Sequence, residues 1–259
     1  MAAALAARGV HVRGLLGRGD DLRDAAHGVD AVVVATPDGV IAEVSAAIEP
    51  DPAAAVVHLS GSLGLDVLAP HQRAGSLHPL VPLPDPETGR RRLLSGVPFT
   101  VAGDPVAADL VRRLGGRTRR VDPARLAAYH AAACIASNHL VALLGQVERV
   151  AASAGLGLDA FLDLARAALD DVAALGPAAA LTGPAARGDD GTLARHRAAL
   201  DPGELDAYDA MADLARRLAG EAGAAPGRVA SADGRVRGPV AVAAGPARVP
   251  VSSGAVPCG

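Results

Sequence analysis

The chain contains no lysine; every basic residue is an arginine. Aromatic residues make up only 2% of it, and there are two cysteines, Cys134 and Cys258. Each shortage excludes something. With no basic stripe interleaved with aromatics, nucleic-acid binding has no support in the sequence. Two cysteines this far apart form neither a disulfide framework nor a zinc pattern, which fits a reducing cytoplasm. The apolar opening from Met1 to Arg8 is too short for the apolar region of a secretion signal and lacks a basic leader. No stretch reads as long enough for a membrane span. The expectation is a soluble cytoplasmic protein with neither a nucleic-acid nor a membrane partner.

What is present is small and apolar. Of 259 residues, half are hydrophobic, and the net charge is −3. A core of Val, Leu and Ala packed closely suits helices lying on a sheet, and the length allows one large domain or two modest ones.

The chain changes texture along its length. Residues 1–121 alternate short β-rich runs with helical stretches: Val10 to Leu16, Ala31 to Ala35, Ala55 to Leu59, a short strand closing at His78-Pro79, Pro98 to Ala102, and Thr118 to Val121. Val40 to Ile48 and Pro105 to Leu114 read as helices between them. Continuous apolar strands alternating with helices predict an α/β domain with a parallel sheet covered on both faces. Residues 122–220 are purely helical. Asp122-Pro123 reads as an N-cap with proline at the first helical position, opening a helix that runs past Val150. Asp159 opens a second helix, stopped by Gly176-Pro177; a third starts at about Thr192; and Asp201 to Glu204 resembles a capping box for the last. Residues 221–259, rich in Gly, Pro, Ala, Val and Ser, read as a disordered tail.

In a doubly wound sheet, ligands sit outside the carboxyl ends of the strands. That rule selects Arg18 after the first run, Thr36, Pro37 and Asp38 after the second, and His58, Ser60 and Gly61 after the third. An arginine at Arg18, where NAD-binding units carry an acid, suits the 2′-phosphate of NADP; the alternative is a solvated loop residue. On the long helix, His130, Cys134 and Asn138 are spaced by four and form one polar stripe, which must line a cavity or find partners. His130 is a candidate proton donor and Asn138 a candidate anchor for a carbonyl or carboxylate, against the alternative of a satisfied core histidine and an interhelix bond. Thr182, Arg187, Asp189 and Thr192 lie on a Gly- and Pro-interrupted loop feeding a helix N-terminus. Such a loop favours anions, with Arg187 as a carboxylate or phosphate clamp; the alternative is an ordinary turn. His78 is expected to face the same cleft. No spacing meets a zinc pattern.

Taken in order, His58-Leu-Ser60-Gly61, Ser76-Leu-His78-Pro79, Tyr129-His130 through Ser137-Asn138-His139, and Leu181-Thr-Gly-Pro184 through Arg187-Gly-Asp189 resemble a bacterial family of Rossmann-like proteins with a C-terminal helical domain of unknown function. That family is similar in architecture to pyrroline-5-carboxylate reductase, ketopantoate reductase and the β-hydroxyacid dehydrogenases, and its helical half to the C-terminal domain of 6-phosphogluconate dehydrogenase. The resemblance covers roughly Val10 to Ala219. It implies an NADP-linked reductase or dehydrogenase acting on a small carboxylate-bearing substrate and dimerising through the helical half. It makes Thr182 to Thr192 the counterpart of a substrate-bordering loop, and it places Cys134 where the hydroxyacid enzymes carry a catalytic lysine. In these terms His130, Asn138 and Ser60 are the catalytic candidates. His78, Thr182, Arg187, Asp189 and Thr192 would bind substrate, and Arg18, Thr36, Pro37 and Asp38 the cofactor. The family's opening strand and Gly-x-Gly-x-x-Gly turn do not occur before Val10, so the expected Rossmann domain is truncated. Either a longer chain supplies them, or dinucleotide does not bind in the usual way. The second reading is therefore a non-catalytic ligand-binding or regulatory protein, and a third a dimeric scaffold for a partner enzyme.

Overall fold

The computed structural model describes residues 1–224. A five-stranded sheet organises the first compact unit, Met1–Ala165. Its strands are β1 (Ala31–Val34), β2 (Ala55–His58), β3 (Ala74–Pro79), β4 (Pro98–Gly103) and β5 (Arg117–Arg119), side by side in chain order. β1, β2 and β3 are parallel, β4 is antiparallel to β3, and β5 is parallel to β4. The all-parallel expectation is corrected at that one pairing. After β3 the chain re-enters the sheet beside the strand end it has just left, with the Leu80 N–H donating to the Pro98 carbonyl at 2.9 Å.

The strand expected over Val10 to Leu16 does not form. A strand persists only where a neighbour completes its ladder, and among the described residues β1 pairs with β2 alone. Val10 and Val12 still pack against the core, while Leu15 is 80% exposed.

Alternation along β2 sends its side chains to two separate cores. Ala55 and Val57 join Leu77, Phe99 and Val101 under α1 (Ala2–Ala6) and α4 (Pro105–Leu114). Val56 points the other way, to Val34, Leu68 and the Ile41 side chain of α2 (Ile41–Ala46). A continuous apolar run is what a strand with two covered faces requires. Between β3 and β4 lies α3 (Pro86–Leu93), which sequence periodicity did not reveal. The Asp104 carboxylate starts α4 by accepting the Val106 N–H at 2.9 Å and also pairs with Arg73 at 2.9 Å. Gly115, in the left-handed region at φ 79°, ends the helix.

The long helical stretch opens as its N-cap predicts, with the Asp122 carboxylate accepting the Ala124 N–H at 2.9 Å. A 3-10 turn, Pro123–Arg125, leads into α5 (Leu126–Cys134), then a π-helical turn, Ile135–His139, then α6 (Leu140–Ser153). By length and composition this run, Pro123–Ser153, is apolar enough to cross a membrane, contrary to the sequence expectation. Its polar residues are mostly uncharged, so they break the apolar pattern without lowering the mean hydropathy far. α7 (Asp159–Leu175) follows.

The second compact unit starts at Arg166, inside α7, whereas the change of texture in the sequence falls at residue 122. It contains α8 (Pro177–Ala180), α9 (Pro184–Arg187), α10 (Asp190–Ala199) and α11 (Leu205–Ala224), with α11 packed on α8 and α9. α10 starts two residues before Thr192, because Asp189 caps it. The capping box at Asp201 does not form: Asp201 makes no side-chain cap bond, and Pro202–Glu204 is a 3-10 turn. Residues 221–224 of the expected tail are helical; the rest of that tail, with Cys258, lies outside the described residues.

Candidate functional site

Three parallel strands deliver their loops to one end of the sheet. Thr36, Pro37 and Asp38 follow β1, Ser60, Gly61 and Ser62 follow β2, and His78 lies near the end of β3. The antiparallel register sets Thr100 of β4 opposite His78. α5 adds Tyr129 and His130 to the same cluster.

The loop after β2 is tied down from both sides. The Asp38 carboxylate accepts from Ser60 Oγ and from Ser62 Oγ, both at 2.7 Å. Ser60 Oγ in turn accepts the N–H groups of Ser62 at 3.1 Å and Leu63 at 3.2 Å. Ser60, expected as a catalytic residue, is thus committed to shaping its own loop. His58 is fully buried; its Nδ1 accepts the Ser60 N–H at 3.2 Å, which leaves Nε2–H to donate to the Gly64 carbonyl at 3.2 Å. His58 is thus a satisfied core histidine. Burial is the largest influence on its imidazole and pushes its pKa down.

For Asp38 burial is also the largest single influence and acts to raise the pKa. The Ser62 and Ser60 hydrogen bonds, with His130 and His58 acting across the site, outweigh it together and hold the carboxyl below its ordinary value. Thr36 Oγ1, at the carboxyl end of β1, is buried and has no hydrogen-bond partner. An orphaned hydroxyl there is a vacant donor and acceptor where ligands of such sheets bind. Pro37 is exposed beside it. Arg18 is exposed and makes no hydrogen bond; the strand expected to present it is absent.

At the centre stand two histidines and a tyrosine. Tyr129 Oη lies 2.6 Å from His78 Nδ1 and accepts from Thr100 Oγ1 at 2.9 Å. The Tyr129 ring meets His78 edge-on, with centroids 5.8 Å apart, and His130 meets the other histidine at 6.2 Å. Gly61 permits this packing: a Cβ there would come within 2.8 Å of the His78 imidazole. Burial, then the neighbouring His130, pushes the His78 pKa down, against the pull of Asp38. Burial pushes the Tyr129 hydroxyl up. Cys134 Sγ sits 4.0 Å from both ring nitrogens of His130. Among the described residues no group of three or more His, Cys, Asp or Glu is arranged to hold a metal ion.

Asn138 lies in the π-helical turn, exposed, with its Oδ1 accepting from Ser137 Oγ at 2.9 Å. A π turn uses more residues per turn than an α turn, so a step of four drifts back rather than forward. The wider turn therefore reduces the helical drift between His130 and Asn138 that the α-helical spacing predicts.

The second unit carries the other candidates. Asp189 accepts the Thr192 N–H at 3.0 Å and the Thr192 hydroxyl at 2.7 Å, and Thr192 Oγ1 accepts from Arg195 at 2.6 Å. Asp189 and Thr192, expected to touch substrate, are engaged in capping α10. Arg187 ends α9, exposed and with no side-chain hydrogen bond among the described residues, and Thr182 is exposed before it.

Sequence reasoning missed Thr100, Tyr129 and Ser62. Tyr129 could have been selected by its place beside His130. Thr100 could not, since only the antiparallel register brings it to His78.

Residues 97–215 match the family described as Domain of unknown function (DUF2520). None of the curated proteins matches this sequence. Among solved structures, protein TM1727 from Thermotoga maritima is similar at 26% identity and a TM-score of 0.61, over 73% of this chain and 78% of that one. BF3122 from Bacteroides fragilis, a proposed NADP oxidoreductase, is 22% identical over 73% and 75%, with a TM-score of 0.63. A pyrroline carboxylate reductase from Plasmodium falciparum with NADP bound is 10% identical over 84% and 92%, with a TM-score of 0.51. The chain thus has a Rossmann-like α/β fold followed by helices, the fold of NADP oxidoreductase-like proteins and of pyrroline carboxylate reductase.

Proposed function

We propose that the protein is an NADP-linked reductase or dehydrogenase acting on a small carboxylate-bearing substrate. The observation that carries this reading is the convergence of His78, Tyr129 and His130 with Asp38 and the orphaned Thr36 hydroxyl at the carboxyl ends of β1, β2 and β3. Ligands of doubly wound sheets bind at that end, and the fold shared with NADP oxidoreductase-like structures points the same way.

The residues present would serve the two ends of the cofactor but not the pyrophosphate between them. Thr36, Pro37 and Asp38 would border the nicotinamide side, and Arg18 would read the 2′-phosphate. No Gly-x-Gly-x-x-Gly cradle for the pyrophosphate occurs before β1. Bound there, NADPH would supply hydride to the substrate. His130, whose imidazole lies against His78, would give the proton. Asn138 would orient the substrate, and Ser60 would act indirectly by fixing the loop that seats His78. On the second unit, Arg187 would offer an exposed guanidinium suited to a carboxylate. Titration calorimetry of the full chain should show NADPH binding, weakened relative to NADH by Arg18→Glu. Absence of any binding refutes this function.

One observation favours the second reading, a ligand-binding protein without cofactor chemistry. The strand that would present Arg18 does not form, and Asp38 already accepts two serine hydroxyls. The same titration separates the two.

The helical part is proposed to form the interface of a homodimer. Ile135 and Val141 on the long helix are 58% and 70% exposed, and soluble proteins seldom leave such a face bare. A second copy of the helix covers it better than lipid, because Glu148 and Arg149 follow closely and Tyr129 bonds to the sheet.

A further inference from the structure

Resting on the reductase reading, we propose that His78, rather than His130, polarises the substrate carbonyl. It would do so as a neutral imidazole carrying its proton on Nε2, a state fixed by Tyr129 and Thr100 acting as positioning residues. The argument follows the direction of each hydrogen bond. Thr100 Oγ1 donates to Tyr129 Oη at 2.9 Å, so the phenol oxygen is already an acceptor on that side. The phenol's own proton then has His78 Nδ1, at 2.6 Å, as its acceptor. Nδ1 is thereby an acceptor, and a neutral imidazole with Nδ1 accepting bears its hydrogen on Nε2.

Among the described residues, Nε2 of His78 has no hydrogen-bond partner, although the residue is half-buried. A half-buried N–H without a partner is a vacant donor, and it sits among groups of suitable chemistry for a polar substrate atom. The ring cannot turn freely to satisfy itself elsewhere. Gly61 lies against its Cγ, Nδ1 and Cε1 atoms, and Tyr129 and His130 meet it edge-on. The loop holding Gly61 is braced by Asp38 and His58.

A fixed, uncharged N–H donor suits a carbonyl oxygen that gains negative charge as its carbon accepts hydride. The two histidines then divide the work. His78 stays neutral and donates a hydrogen bond throughout, while His130, beside it on α5, transfers the proton.

The test is the tautomer of His78, read by two-bond 1H–15N correlation on full-length labelled protein at pH 7.5. The expected state is Nε2–H. Tyr129→Phe keeps the ring contact and removes the phenol, and should convert His78 to a mixture with a large Nδ1–H share. Thr100→Val frees the phenol to turn and should shift the tautomer partly the same way. An Nδ1–H state in the unsubstituted protein, or an Nε2–H state unchanged by Tyr129→Phe, overturns the proposal. Circular dichroism of both variants confirms that they fold; should Tyr129→Phe unfold, Thr100→Val alone decides by the same criterion. NADPH calorimetry on the same samples keeps the two ideas apart. Lost or absent NADPH binding with Nε2–H intact refutes the reductase reading and with it the carbonyl role, while the hydrogen-bond chain stands. NADPH binding with the wrong tautomer refutes the role of His78 alone.

Discussion

At the scale of single residues, the site depends on one missing side chain. Gly61 is not required by backbone conformation; it is required by the His78 ring, which would lie 2.8 Å from a Cβ. Gly61→Ala should therefore displace the imidazole and break its bond to Tyr129. Overpacking of this kind costs about 1–3 kcal/mol, read as a lowered urea midpoint. A variant as stable as the parent would show that the loop moves aside at little cost. Two histidines of the site region, His58 and His78, set the acid limit. His58 and His78 both have pKa values pushed below the unfolded one by burial. Between the folded and unfolded values the unfolded chain binds more protons, so their contribution is whole above about pH 6.5 and is lost as pH falls through the folded values. Asp38, from the loop after β1, and His130, from α5, face His78 and modify its midpoint in opposite senses. Urea midpoints should fall between pH 7.5 and pH 5.5; a flat profile would mean that neither histidine has a lowered pKa in the folded state.

At the scale of elements, Asp104 joins two functions in one carboxylate. It caps α4 through the Val106 N–H and pairs with Arg73, which precedes β3. Asp104→Ala should destabilise the first unit by about 1 kcal/mol through the lost cap, with the broken ion pair adding to that. Asp104→Asn keeps a capping oxygen and should recover most of the loss, as checked by denaturant unfolding. The π-helical turn is the other informative element. Residue spacing in the sequence identifies His130, Cys134 and Asn138 as one stripe, but the unit of helical turn that sets their alignment is decided locally, where Ser137 Oγ also bonds the Ala133 carbonyl at 2.8 Å.

At the scale of the whole molecule, the exposed apolar residues of the long helix call for a partner. In the proposed homodimer, Val141→Asp would place a charge in the interface. Light scattering after size exclusion should then change from dimer to monomer, while Tyr129 keeps its bonds to the sheet. A monomeric parent protein would refute the dimer. The apolar run Pro123–Ser153 also makes a floating assay on neutral phospholipid vesicles worthwhile, with the dimer proposal requiring that the protein stay unbound.

Much of this was legible along the chain, for reasons that are local. Residues 55–57 are apolar throughout because both faces of β2 are covered; Asp104-Pro105 and Asp122-Pro123 mark helix starts because the cap bonds lie within two residues of the aspartate. The residues His58, Ser60, His78 and His130 were likewise selected by following strand ends and helix spacing. Their roles were not selected, because a role depends on what lies opposite. His58 is satisfied by Gly64 and Ser60, while His78 keeps a free Nε2, and nothing in the sequence separates them. Thr100 reaches Tyr129 only through the antiparallel register of β3 and β4, a pairing across more than twenty residues. Val10 to Leu16 has the composition of a strand and forms none, since a ladder needs a neighbour that composition cannot provide. The sequence by itself determined most of the elements, the cap at Asp122 and the chemistry on offer, all set within a few residues. Tertiary structure decided which donors meet which acceptors, because hydrogen bonds are short and directional and join groups far apart along the chain.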